Sequence, residues 1–112
     1  MTVRRFNWQK ESLEKEIRPG VISMAIFDGE NVTVGVPRLE PGHEPKPQSH
    51  PQEQIAVILA GTIDFYIGDE VVRLGPGDIV HVPSNVRHYG VVVGDEPVIN
   101  LDVWYPKRIP GS

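Results

Sequence analysis

Gln48-Ser49-His50-Pro51-Gln52-Glu53-Gln54 leads directly into the apolar run Ile55-Ala56-Val57-Ile58-Leu59-Ala60. Gln48 and His50 are two apart, so on extended backbone both side chains leave the same face, and Gln54 rejoins them as the strand begins. His88, in Val86-Arg87-His88 at the start of a later strand, is the fourth candidate. These four side chains are expected to converge on one divalent metal inside a small β-barrel.

The segment before this stretch is stiff. Pro45, Pro47 and Pro51 restrict both themselves and the residues before them to extended geometry, which excludes a regular helix over 43–51. Side chains held on such a backbone lose less entropy on binding a ligand.

Working outward, the rest of the chain reads as short strands between turns. Strands are expected at Val21 to Phe27, Asn31 to Leu39, Ile55 to Ala60, Thr62 to Ile67, Glu70 to Leu74, Asp78 to Val82, His88 to Val93 and Pro97 to Tyr105. Gly68-Asp69 reads as a two-residue hairpin turn, and Gly75-Pro76-Gly77-Asp78 and Pro83-Ser84-Asn85 as further turns. Before them, Leu13 and Ile17 stand four apart, as a short helix between Trp8 and Ile17 requires; an irregular arm suits the same residues. The expected class is all-β, a barrel or jelly roll of about eight strands.

Bulk composition agrees. The 112 residues suffice for one domain with a single closed core, and the 11 Gly and 11 Pro favour tight turns over a helical bundle. A net charge of -4 without a basic stripe argues against nucleic acid as a partner. The absence of cysteine removes disulfides, thiolate metal sites and a cysteine nucleophile. MTVRRFNWQK lacks the apolar run of a signal peptide, and no stretch reaches membrane-spanning length, so the cytoplasm is the expected location. On the last strand Val98, Asn100, Asp102 and Trp104 alternate with Ile99, Leu101, Val103 and Tyr105. Both faces want cover, and a homodimer supplies the second.

Residues 42–61 resemble the first sequence motif of the cupins: a glycine, five residues, the pair Gln48 and His50, then Gln54 and a closing Gly61. Gly77, Pro83 and His88 fall at the spacing of the second motif, over about 77–92. The resemblance implies one cupin domain over 1–112, a double-stranded β-helix, with Gln48, His50, Gln54 and His88 as metal ligands. Four positions depart from the family pattern: Gln48 replaces the usual histidine, Gln54 the glutamate, Asn85 the glycine after proline, and Val92 the terminal asparagine. Gln54 followed by Ile55, and the ending Leu101-Asp102-Val103-Trp104-Tyr105-Pro106-Lys107-Arg108, look like the KdgF-like small cupins that linearise unsaturated uronates. That likeness places Asp102, Trp104 and Arg108 in the pocket.

Two imidazoles and two amide oxygens form a neutral ligand set, which leaves more charge on the ion for polarising an oxygen. Nickel, zinc, manganese, iron and cobalt all suit such donors. Asp102 is expected to move a proton, Arg108 to hold a carboxylate through its fork, and Trp104 to present an aromatic face to a sugar ring. His81 shares a parity with Ile79 and Pro83 and is expected to line the pocket, whereas His43, among Pro and Glu, is expected to be solvated. No phosphate-binding glycine loop precedes a helix, and no serine elbow is present. The implied activity is that of an isomerase or lyase on a small acidic sugar or keto acid. A metal-dependent dioxygenase and a non-enzymatic small-molecule-binding cupin are the alternatives.

Overall fold

A computed structural model describes residues 2–108. Nine strands form two antiparallel sheets, a six-stranded one in the order β1-β2-β3-β9-β4-β7 and a three-stranded one in the order β6-β5-β8. The strands are β1 (Lys15–Arg18), β2 (Val21–Asp28), β3 (Thr33–Leu39), β4 (Glu53–Ala60), β5 (Ile63–Ile67), β6 (Glu70–Leu74), β7 (Ile79–Val82), β8 (His88–Val92) and β9 (Val98–Tyr105). This is the all-β jelly roll expected from the turn spacing.

The first strand departs from expectation. Only Trp8–Glu11 is helical (α1), capped by the Asn7 carboxamide, which accepts from the amides of Gln9 and Lys10, while the Glu11 carboxylate accepts from the Asn7 amide at 2.6 Å. One turn of helix is marginal by itself. Pro19-Gly20 then folds the chain so that Lys15–Arg18 pairs with β2, leaving Leu13 89% exposed and Ile17 on a strand. The spacing of Leu13 and Ile17 is therefore no helix face.

Alternation sets the interior. Ala56 and Ile58 of β4, Val82 of β7 and Val98 of β9 pack with Leu39, Ile63, Phe65 and Leu74 into one core between the sheets. Ile79, Tyr105 and Leu59 of the large sheet stay exposed. Gly61 closes the β4–β5 turn at φ +83, and a Cβ built there would lie 2.5 Å from the Pro97 carbonyl oxygen and 2.9 Å from the Val98 Cα. Backbone cannot yield as a side-chain tip can. Gly61→Ala is expected to cost more than about 2 kcal/mol, read as a lower urea midpoint at unchanged slope.

Candidate metal centre and its cavity

The loop bearing His50 is pinned from both sides. Asn85 donates its amide to the His50 carbonyl at 2.8 Å, and the Ser84 hydroxyl donates to the Pro51 carbonyl. Asn85 adopts φ 65, the sole non-glycine residue with positive φ among the described residues, which explains how asparagine serves where glycine is usual. Gln48 forms an isolated bridge to His88, with backbone bonds of 3.1 and 2.9 Å. The loop is thereby fastened to β8 of the small sheet while it runs into β4 of the large one.

The buried side chains of His50, His88 and Gln54 then meet, with half-buried Gln48 on the wall of the same cavity. The His50 and His88 rings stand edge to face with centroids 4.8 Å apart. His50 Nδ1 lies 2.9 Å from the Gln52 carbonyl and His88 Nδ1 lies 2.9 Å from the Val86 carbonyl. A carbonyl only accepts, so each Nδ1 carries the proton and each neutral ring keeps its lone pair on Nε2. Burial, with the nearby Arg108 charge, holds both imidazoles below the usual histidine range and so in that neutral form.

Gln54 is oriented without ambiguity. Trp104 Nε1, a donor only, reaches Gln54 Oε1 at 3.0 Å, and Gln54 Nε2 donates to Asp102 Oδ1 at 2.9 Å. Gln54 Oε1 therefore faces His50 Nε2 at 3.2 Å with lone pairs on both atoms. Two acceptors turned toward each other are what a cation between them would require. The donor set thus fits a metal held by His50, His88 and Gln54. Gln48 Oε1 accepts from Arg108 Nη2 at 2.9 Å, so as a ligand it would use its remaining lone pair. Among the described residues no group of three or more His, Cys, Asp or Glu is placed to hold a metal ion, since half of this set is amide.

Behind the amide stands Asp102. It accepts from Gln54 Nε2 and, at 2.8 Å, from Asn100 Nδ2. Full burial pushes its carboxyl up to about 7, against the lowering pull of those two bonds and of Arg108. Arg108 is anchored rather than solvated: its amide donates to the Thr33 hydroxyl at 3.1 Å, its guanidinium lies 5.5 Å from the Trp104 ring centre, and it is 9% exposed. Gln48, Gln54, His88, Asn100, Asp102, Trp104 and Arg108 all line one cavity in the barrel.

Two histidines sit otherwise than expected. His81 lies on the outer face of β7, exposed, with Nε2 2.8 Å from Glu53 Oε2, and takes no part in the cavity. Pairing of Ile55 with His81 and Gln54 with Val82 sends His81 outward and Val82 inward. His43 is buried at 7% exposure, its ring nitrogens each 3.1 Å from a carbonyl oxygen, of Glu40 and of Gly90. Trp104 serves the site by fixing Gln54, and at 4% exposure its ring is mostly core.

Two residues of the cavity had no assigned role in the sequence. Asn100 Oδ1 is buried without a hydrogen-bond partner among the described residues, and so is Arg18 Nε. Asn100 shares the inward parity of Asp102, which is a usable signal. Arg18 has none, since a register shift between Glu16 and Arg18 decides where it goes.

A fold and a cavity of this kind define the cupin class. The Cupin domain family model matches residues 35–104, and the chain belongs to that family. Its structure is similar to that of KdgF from Halomonas sp., with a TM-score of 0.80 at 22% identity over 88% of this chain and 92% of that one. An RmlC-like cupin from Shewanella frigidimarina gives a TM-score of 0.83 at 19% identity, covering 95% and 94% of the two chains. In sequence, 60 residues are 32% identical to acireductone dioxygenase from Bacillus subtilis, covering 49% of this chain and 34% of that protein. The chain thus spans about a third of the length of that curated relative.

Proposed function

We propose that this cupin is a metal-dependent isomerase or lyase acting on a small acidic sugar or keto acid, in the manner of a KdgF-like opening of an unsaturated uronate. The observation behind this reading is the opposed pair His50 Nε2 and Gln54 Oε1, with Asp102 hydrogen-bonded directly behind the same amide. A divalent metal bound by His50, His88 and Gln54, with Gln48 as a further donor, supplies Lewis acidity toward a substrate hydroxyl or carbonyl oxygen. Asp102 holds a proton at its carboxyl near neutrality and exchanges it with the ring oxygen or carbon of the substrate. Asn100 holds that carboxyl group in place by donating its Nδ2 to Asp102 Oδ1 at 2.8 Å. Arg108, beside Gln48, stabilises negative charge that develops on the substrate oxygen.

Incubating the metal-loaded chain with an unsaturated uronate and following loss of its enol absorbance tests this directly. Disappearance of the unsaturated ring without oxygen uptake is the expected result. The segment shared with acireductone dioxygenase favours dioxygenase chemistry as the second reading, and oxygen consumption matched to substrate loss would establish it in place of the first.

The outer strip of the large sheet, with Ile79 65% and Tyr105 57% exposed, is where we propose a second copy docks. Sedimentation at micromolar concentration should give the mass of two chains; a single-chain mass removes the dimer.

A further inference from the structure

The cavity has a second polar end. Its charged lining consists of Arg18, Lys46 and Arg108 against the single carboxylate Asp102. The charges nearest the metal-ligand candidates are already engaged: Asp102 accepts from Gln54 and Asn100, and Arg108 donates to Gln48 and lies over Trp104. Arg18 differs. Its Nε is enclosed and has no hydrogen-bond partner among the described residues, and burial alone lowers its basicity.

Arg18 is half-buried and lines the cavity with no side-chain hydrogen bond or ion pair to any described residue, so the accessible terminal nitrogens of its fork, not the enclosed Nε, are the ones a carboxylate would meet. The backbone is arranged to place it there. Lys15 pairs with Ser23 and Glu16 with Ile22, and then the register slips so that Arg18 pairs with Val21. Such a bulge re-aims a side chain, here into the cavity from the edge strand of the large sheet. Lys46, between Pro45 and Pro47 of the stiff loop, adds a second positive charge on the same cavity.

We propose that Arg18, supported by Lys46, is the seat of the substrate's carboxylate, and that Arg108 is not. This deepens the function proposed above and rests on it for the identity of the substrate, though not for the presence of an anion site. β1 stands three strand spacings from β9, on the order of 14 Å along the sheet. The side chains of Arg18 and Asp102 reach into that span from its two sides, and the substrate class is accordingly a small carboxylic acid.

The test follows the Arg Nε–H signals by proton–nitrogen NMR, with Arg18 assigned by the loss of its peak in Arg18→Gln, as acetate, D-galacturonate or uncharged galactose is added. A saturable shift of the Arg18 peak with both acids and none with galactose is expected. By calorimetry Arg18→Gln should weaken galacturonate binding at least about tenfold, the loss of one charge-assisted hydrogen bond, with an unchanged thermal midpoint showing that the barrel is intact. Absence of a saturable Arg18 shift with either acid, or a shift confined to Arg108, overturns the proposal. A shift with acetate but not galacturonate keeps the anion seat and removes the uronate from the proposed function.

Discussion

Asp102→Asn is expected to lower turnover by about 10²–10⁴-fold while the metal bound per chain stays at the wild-type level. The asparagine oxygen still accepts from Gln54 Nε2 and Asn100 Nδ2, so the amide that faces His50 keeps its orientation. Only the exchangeable proton is lost. Assay of turnover beside elemental analysis of the same preparation checks both halves; loss of metal together with activity would make Asp102 a structural partner of Gln54 instead. The same variant reports on stability in the metal-free protein. Burial raises the Asp102 carboxyl from 3.8 to about 7, so between those values the unfolded chain releases a proton that the folded chain retains. Stability from this group is therefore full below about pH 4 and lost as pH rises through about 7. His50 and His88, both lowered, act in the opposite sense, adding stability above the usual histidine range and losing it as pH falls. The difference between wild type and Asp102→Asn in urea unfolding isolates the carboxyl: the advantage of wild type should shrink steadily from pH 4 to pH 7, and a flat difference would contradict it.

Replacing His50 or His88 by alanine is expected to reduce divalent metal affinity by more than about 100-fold, beyond what loss of a supporting residue produces. Each ring offers its Nε2 lone pair because its Nδ1 is tied to a nearby carbonyl, and alanine removes that donor outright. His81→Ala, on the outer face against Glu53, is the matched control and should leave affinity unchanged. Competition with a chromophoric chelator measures all three. Equal loss from His81→Ala would point to a metal on the outer face. Gln48→Ala should have a smaller effect than either histidine, because the oxygen of Gln48 already accepts from Arg108.

The parts of the fold written in strict alternation were legible beforehand. Asn100, Asp102 and Trp104 fall inside β9 as their parity requires, and Gln54 heads an inward row through Ala56 and Ile58. Ile79-Val80-His81-Val82 was opaque, since both of its parities are partly apolar; only the register against β4 sends His81 to solvent. His43 misled for another reason. Its burial depends on Gly20, where a Cβ would come within 2.7 Å of the His43 Cβ, and on the Gly90 carbonyl, both distant along the chain. Arg18 could not be placed because a one-residue slip in a strand reverses the face of everything after it. Of the site, the ligand spacing was visible, but the opposed lone pairs of His50 and Gln54 depend on Trp104 and Asp102 fixing one amide.

The bridge between Gln48 and His88 has one more effect. Gln54 belongs to the large sheet, His88 to the small one, and the bridged loop spans the seam between them. Whatever occupies this junction acts as a latch, so breathing of the barrel and escape of the occupant become a single event. Amide protons along that seam should exchange more slowly once it is filled, by an amount that grows with the occupant's affinity and concentration.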